Sequence, residues 1–331
     1  MAAQKKLTRG ISSEFAGTFM KSKLSNLYQQ NKDKLFIGVR NNYLNIYYNC
    51  DSISTVEYKK PRGEKEKRIV CEIDKYYLDG NHYDSKSKDK RFRVDINQLL
   101  EDFDTIQANS NKRISDEKKA QSKLVILNNS NPNSKWYCLD IEWKKAFASQ
   151  TKKDDAKFNG RFDIIAISKE KPHTVAFIEL KYGRNAIGGE SGVYKHIHDF
   201  HTFTVNNYFE SMKKEIVEII KSQVNLGIVV PTSLHGIKSN NITNYEFYII
   251  TLNNTESDNK SSPKQTMAGY LFKEKRWGCK RLSSKAKVED TFGDVTDKEN
   301  KNIHVNFLFS DQTIENLVIT DIVNHKDYDW E

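Results

Sequence analysis

Cysteines are few in this sequence, and their spacing excludes the sites that cysteines most often build. The four of them, Cys50, Cys71, Cys138 and Cys279, stand far apart, and no Cys-X-X-Cys pair occurs. A zinc ribbon or a dense disulfide framework is therefore not expected. Reduced thiols in a cytoplasmic protein are the simplest interpretation of this pattern.

Long apolar runs are absent as well. Residues 1–10 contain no apolar signal core, and no stretch approaches the ~20 apolar residues that a membrane-spanning helix needs. The chain has 331 residues, which is enough for one sizeable core and an appended lobe. We therefore expect a protein with two lobes that is not inserted in a membrane.

Positive charge exceeds negative charge. The sequence has 53 Lys and Arg residues against 44 Asp and Glu residues, a formal net charge of +9. The basic residues are concentrated in segments 59–68, 86–93 and 273–287. Any one of these segments is equally well explained as a solvated loop, but together they favour a polyanionic partner such as nucleic acid.

Charged residues interrupt two apolar segments near the middle of the chain. Residues 162–167 carry Asp163, and residues 175–181 carry Glu179 and Lys181. Because side chains of a strand alternate between its faces, Glu179 and Lys181 point to the same side. The polar residues between the two segments predict a turn, so we expect an antiparallel hairpin that brings Asp163 opposite Glu179 and Lys181.

Phosphodiester hydrolysis is the chemistry that suits two carboxylates beside one ammonium group. Mg²⁺ binds through one or two carboxylates and a substrate phosphate oxygen, a role that Asp163 and Glu179 fit. Lys181 would stabilise the negative charge that develops on the phosphate. The alternative is a surface salt bridge worth ~0 to 1 kcal/mol. The apolar residues around these charges argue against it, because burying a charge without a function is costly.

With these residues in place, the sequence resembles the PD-(D/E)XK nuclease superfamily, whose signature is an Asp followed after a hairpin by Glu or Asp, any residue, and Lys. Asp163, Glu179 and Lys181 match it, and Phe162 stands where many members have proline. The resemblance covers about residues 113–231. It implies an α/β, restriction-endonuclease-like core, in which a central mixed sheet is flanked by helices, with Mg²⁺ as cofactor and Mn²⁺ as its substitute. It also implies DNA as substrate and a role in restriction or phage defence.

Members of this superfamily often carry a further acidic ligand upstream of the Asp. Here the predicted first strand of the core, residues 135–143, contains Asp140 and Glu142, and the predicted helix before it, residues 113–128, contains Glu117. Glu142 is favoured because its strand would lie beside Asp163 with both side chains on one face. Asp140 and Glu117 stay open as alternatives.

Histidines follow the motif closely. His196, His198 and His201 lie in a short span after a glycine-rich segment, residues 182–192, that lacks the spacing of a nucleotide-binding loop. His196 is expected near the site, where it would contact phosphate or assist proton transfer. Zinc binding has less support, because the sequence has no His-Glu-X-X-His arrangement.

The pattern of apolar residues divides the chain into three parts. Residues 1–110 are expected to form a strand-rich α+β lobe that positions nucleic acid, residues 111–252 the nuclease core, and residues 253–331 a loop-rich extension. Predicted elements are a helix at 14–31, strands at 35–40, 43–48 and 52–58, a helix at 205–222, and strands at 224–230 and 245–252. Three alternatives stay open: a nucleic-acid-binding or assembly protein with an inactive core, a nuclease directed at RNA, and a homodimer instead of a monomer.

Overall fold

A computed structural model of the chain describes residues 9–79, 91–144, 160–183, 186, 193–253, 277–278, 294–297, 302–309 and 312–314. The chain divides into two compact units. The first unit comprises Met1–Ile126 with Lys213–Ser239, and the second comprises Leu127–Met212 with Asn240–Glu331. Among the described residues, no helix is long and apolar enough to cross a membrane. The boundaries of these two units differ from the expected division into residues 1–110, 111–252 and 253–331. That division was based on function and stays a prediction.

The first unit is built on a five-stranded antiparallel meander in the order β1-β2-β3-β4-β5. Its strands are β1 (Leu35–Val39), β2 (Tyr43–Tyr48), β3 (Asp51–Lys59), β4 (Arg68–Asp74) and β5 (Arg91–Val94). Its helices are α1 (Ser13–Met20), α2 (Lys23–Gln30), α3 (Tyr76–Asp79), α4 (Ile96–Glu101) and α5 (Phe103–Arg113). The expected mixture of strands and helices in this part of the chain is therefore present, while a separate lobe of residues 1–110 stays a prediction.

The single helix predicted over residues 14–31 is two helices. Ser22 takes an extended backbone conformation, and its hydroxyl accepts a hydrogen bond from the backbone N–H of Ser25. A serine in this geometry caps the start of a new helix, so the apolar pattern continues while the helix axis does not. Phe15, Phe19 and Leu24 from the two helices all lie in one buried core.

The second unit contains a five-stranded mixed sheet in the order β13-β9-β8-β7-β6. Strands β6 (Trp136–Lys144), β7 (Arg161–Ser168) and β8 (His173–Tyr182) are antiparallel, whereas β9 (Ile242–Leu252) and β13 (Asn306–Phe309) run parallel to β8. A smaller antiparallel sheet joins β10 (Trp277–Gly278), β11 (Asp294–Asp297) and β12 (Asn302–His304). The predicted α/β class and the hairpin of residues 162–181 are confirmed.

Three longer helices accompany these strands in the sequence, one before β6 and two between β8 and β9. They are α6 (Asp116–Ser130), α7 (Val193–Val205) and α8 (Tyr208–Asn225). Helix α8 corresponds to the helix predicted at 205–222, and the residues predicted to form its apolar face are buried: Tyr208, Phe209, Met212, Ile216, Ile219 and Ile220. Helix α7 is not among the elements predicted from the sequence. Its buried residues Val193, Ile197 and Phe200 nevertheless follow helical spacing.

The prediction of a strand at residues 224–230 is wrong. Helix α8 continues to Asn225, and no strand is present between it and β9. Gly227 then takes a φ of +70°, the left-handed conformation that commonly ends a helix. Val229 is 70% exposed, so the apolar run lacks the burial that a central strand would give it. The parallel neighbour of β8 is instead β9, which contains the strand predicted at 245–252.

Candidate metal centre

The β7–β8 hairpin positions the first carboxylate. The two strands pair from Ile164 with Ile178 to Ile167 with Val175. Beyond Ile164 the ladder ends, and the Asp163 side chain takes the place of a main-chain acceptor: its Oδ2 accepts a hydrogen bond from the backbone N–H of Leu180 at 3.0 Å. Asp163 is therefore held beside the strand that carries the rest of the motif.

Glu179, Lys181 and His196 form a buried ionic cluster at the end of β8. Lys181 Nζ donates to Glu179 Oε1 at 2.7 Å, and His196 Nε2 lies 2.8 Å from the same oxygen. His196 Nε2 and Lys181 Nζ are 3.4 Å apart. Glu179 is 3% exposed and Lys181 5% exposed, so this group of charges has little access to water.

The second oxygen of Glu179 differs from the first. Glu179 Oε2 is buried, and among the residues that the structure describes no group donates a hydrogen bond to it. An ionised carboxylate oxygen that is buried without a partner costs free energy, so such atoms in folded proteins call for an explanation. A bound cation would satisfy it directly.

Packing between α7 and the sheet sets the position of His196. The ring of Phe200, one helical turn beyond His196, stacks on Phe247 with centroids 4.4 Å apart. Phe203 makes an edge contact with Phe162 at 5.6 Å. Because these rings fix the rotation of α7 against β7 and β9, His196 faces the end of β8.

Glu142 lies directly across from Asp163. Strands β6 and β7 pair Ile141 with Ile164 and Trp143 with Phe162, which places Glu142 opposite Asp163. The expected register is reached through a bulge between Cys138 and Asp140, and Glu142 itself has a φ of +52°. This conformation is uncommon for a residue other than glycine and is concentrated at functional sites.

Arg161 connects the two carboxylates. Its Nη2 lies 2.9 Å from Glu142 Oε1 and 3.6 Å from Asp163 Oδ1. The Arg161 side chain is 40% exposed, whereas those of Glu142 and Asp163 are 13% and 8% exposed. Arg161 is not among the site residues predicted from the sequence. Its position two residues before Asp163 on one strand is nevertheless a signal, because residues two apart on a strand share a face.

The two alternative ligands occupy different surroundings. Asp140 is fully buried, and its Oδ1 accepts a hydrogen bond from the backbone N–H of Ile141. Glu117 lies in the first turn of α6, in the part of that helix that belongs to the first unit. Of the three candidates, Glu142 is the one that shares Arg161 with Asp163.

The two carboxyl groups of the motif differ in acidity. Burial, reinforced by the negative charge of Glu179, raises the pKa of Asp163 well above its ordinary value. Burial also opposes ionisation of Glu179, but the charge and hydrogen bond of His196, together with those of Lys181, outweigh it and lower the pKa of Glu179. Ionisation is therefore easier for Glu179 than for Asp163, and a nearby cation would favour ionisation of Asp163.

These residues fit Mg²⁺ better than a transition metal. Among the residues that the structure describes, no group of three or more His, Cys, Asp or Glu side chains forms a ready-made metal cage. Mg²⁺ does not need one, since it keeps most of its waters and binds through one or two carboxylates. The unpartnered Oε2 of Glu179 and the desolvated carboxyl of Asp163 supply oxygen ligands of that kind.

The basic segments can be placed only in part. Segment 59–68 joins β3 to β4, and three of its cations are paired: Lys59 with Glu57 and Glu72, Lys67 with Glu14, and Arg68 with Glu64. Lys60 and Arg62 are exposed at the same turn. Side chains of the other two basic segments, and most of the glycine-rich segment 182–192, lie outside the described residues.

Comparison with known proteins adds no relative to this geometry. No protein-family model matches the chain, no curated protein matches it, and no solved structure matches it.

Proposed function

We propose that this protein is a Mg²⁺-dependent nuclease that hydrolyses phosphodiester bonds, with DNA as its substrate. The observation that carries the proposal is the buried hairpin end where Asp163, Glu179 and Lys181 meet and where Glu179 Oε2 has no hydrogen-bond partner within the described part of the chain. The order α6, β6, β7, β8 supports the proposal as well, because a helix followed by three strands opens the core of the superfamily that the sequence resembles; two helices, α7 and α8, then precede β9, where that core has one.

Each side chain has a separate task in this proposal. Asp163, Glu179 and Glu142 would hold Mg²⁺, which when bound supplies Lewis-acid stabilisation of charge on the phosphate, and Mn²⁺ would substitute for it. Lys181 would place a positive charge beside the phosphate oxygens of the substrate, on which negative charge develops during hydrolysis. His196 Nε2 contacts Glu179 Oε1, so Oε2 is the oxygen of this side chain that would bind the ion.

Substrate and setting follow from charge and resemblance. The net charge of +9 favours a polyanion, and exposed Lys60 and Arg62 on the β3–β4 turn would contact phosphates without reading sequence. Restriction or phage defence is the setting that the resemblance implies. Either a monomer or a homodimer could make these phosphate contacts.

A second candidate is a nucleic-acid-binding or assembly protein with an inactive core. The specific observation in its favour is that cations of the protein already lie beside the carboxylates, with Arg161 next to Glu142 and Asp163, and Lys181 on Glu179. In such a protein the ionic cluster would be structural, and divalent ions would neither bind nor promote cleavage.

One assay separates the two candidates. Purified protein is incubated with supercoiled DNA, linear DNA and RNA, each with Mg²⁺, Mn²⁺ or EDTA. We expect cleavage of DNA with either ion and none with EDTA, and the Glu179→Gln variant is expected to be inactive. Cleavage of RNA alone would redirect the proposal to an RNA nuclease, and binding without any cleavage would favour the inactive core.

A further inference from the structure

Arg161 occupies the space that an ion bridging two carboxylates would need. One atom, Nη2, lies 2.9 Å from Glu142 Oε1 and 3.6 Å from Asp163 Oδ1. A divalent cation bound between the same two oxygens would have to displace this nitrogen, because two cations cannot share one pair of ligands at these distances. The carboxylates therefore have a counter-cation before any metal arrives.

Displacement of Arg161 costs little. Its side chain is 40% exposed, so the guanidinium can turn into solvent without losing its hydration. The buried carboxylates lose this counter-charge, but the divalent ion that replaces Arg161 restores it. The two carboxylates, by contrast, are mostly buried and stay where the strands hold them, Glu142 through its left-handed backbone and Asp163 through Leu180.

A phosphate would favour that displacement. The guanidinium forms paired hydrogen bonds to phosphate oxygens at least as well as to carboxylates. Once it leaves the carboxylates, Arg161 is close enough to the site to bind the backbone of a nucleic acid held there. Ion and substrate would then help each other to bind, since each removes Arg161 from a position that opposes the other.

We infer that Arg161 is an internal counter-cation that competes with the divalent ion for Glu142 and Asp163 and couples ion binding to the binding of a phosphodiester. This inference rests on the proposed metal centre, and it assigns to Arg161 a part that the motif does not include.

The test measures ion affinity without catalysis. Ca²⁺ is titrated by calorimetry into the unmodified protein, into Arg161→Gln and into Lys144→Gln, each with and without a short DNA duplex. Lys144 is the matched control, because it lies directly across the β6–β7 ladder from Arg161 and carries the same charge. Arg161→Gln should bind Ca²⁺ on the order of tenfold more tightly, because the ion no longer has to displace a cation from Glu142 and Asp163.

The duplex provides the second readout. In the unmodified protein it should tighten Ca²⁺ binding, and in Arg161→Gln this gain should largely disappear, while Lys144→Gln should keep it. Arg161→Lys, which retains the charge on a shorter side chain without the planar fork, should fall between the two. Melting curves in EDTA verify that each variant is folded.

The other outcomes are distinct. If the unmodified protein binds Ca²⁺ but Arg161→Gln binds it equally or more weakly, the competition is contradicted while the metal centre stands. An equal gain in Arg161→Gln and Lys144→Gln would attribute the effect to general charge and would also overturn the inference. Absence of ion binding in every protein would reject the proposed nuclease centre itself, and the inference with it.

Discussion

Two β-hairpins of this protein carry closely spaced charges in opposite surroundings. In the first unit the β3–β4 hairpin has Arg68 paired with Glu64, with side chains 49% and 42% exposed. In the second unit the β7–β8 hairpin has Lys181 paired with Glu179, with side chains 7% and 4% exposed. The first pair keeps its hydration and adds little to stability, whereas the second pair has given up most of its water.

The difference indicates which charges a fold keeps for a reason other than stability. A buried ion pair is often no more stable than an apolar pair of the same size, because the loss of hydration offsets the attraction between the charges. Glu179 goes further, since one of its oxygens is buried and receives no hydrogen bond from the residues that the structure describes. Such an arrangement persists where the charges serve chemistry, and strongly perturbed carboxyls like Asp163 are concentrated at such sites.

The largest expected effect is on cleavage. Glu179→Gln and Asp163→Asn each remove a negative ligand, and each should lower the single-turnover rate with Mg²⁺ by about 10²-fold or more. Glu64→Gln removes the same charge from the exposed pair of the other hairpin and should leave the rate unchanged. Equal rates for Glu179→Gln and Glu64→Gln would remove the functional distinction between the two hairpins.

The second effect is on stability. Lys181→Met leaves Glu179 buried beside fewer cations, so its free energy of unfolding in urea should fall by about 3 kcal/mol. Arg68→Met breaks the exposed pair and should cost less than about 1 kcal/mol. The double change Glu179→Leu with Lys181→Met should recover most of the loss, because no buried charge then lacks its partner. A large loss from Arg68→Met would show that exposure does not decide the strength of these pairs.

These hairpins also show what the sequence could predict. The alternation of apolar and charged residues was sufficient to place Asp163, Glu179 and Lys181 together, because period-two alternation and a short turn fix the register of neighbouring strands. It could not predict the left-handed backbone of Glu142, which depends on the bulge after Cys138. A bulge is a response to tertiary packing and has no reliable local pattern.

The errors have physical reasons of the same kind. Residues 224–230 have the apolar composition of a buried strand, but helix α8 continues through Asn225 and Gly227 ends it, so composition alone chose the wrong element. Helix α7 is hard to predict because it contains many polar residues, several of them histidines, among which Val193, Ile197 and Phe200 mark its buried face. His196 was singled out for its proximity in sequence to the motif, and its contact with Glu179 depends on that helix.

A smaller effect concerns His196. Its Nε2 lies 2.8 Å from Glu179 Oε1, so His196→Ala frees a ligand that the helix now holds in place. Loss of a residue that orients a metal ligand lowers metal affinity or activity by about 10- to 100-fold. His196→Gln can still donate a hydrogen bond and should be less affected. The matched control is His198→Ala, an exposed position on the same helix, which should retain normal Mn²⁺ affinity by calorimetry.

The smallest effect returns to the exposed hairpin and to how it would meet a nucleic acid. Lys59 is already paired with Glu57 and Glu72, so it has less charge to offer a phosphate than Lys60 and Arg62, which are exposed at the turn. If these two residues each contact a phosphate of duplex DNA, replacing both with Gln should reduce the slope of log affinity against log salt by about 0.9 per contact.

That slope is measured by fluorescence anisotropy with Ca²⁺ in place of Mg²⁺, so that binding is recorded without cleavage. Lys59→Gln serves as the control and should change the slope little. As long as Lys59 stays paired with Glu57 and Glu72, it neutralises no phosphate and therefore releases no counterion from the DNA. If Lys59→Gln flattens the slope as much as the double variant, the ion pairs of the exposed hairpin open on binding. If neither variant changes the slope, the hairpin lies away from the nucleic acid, and the positive charge that binds it must be sought elsewhere in the chain.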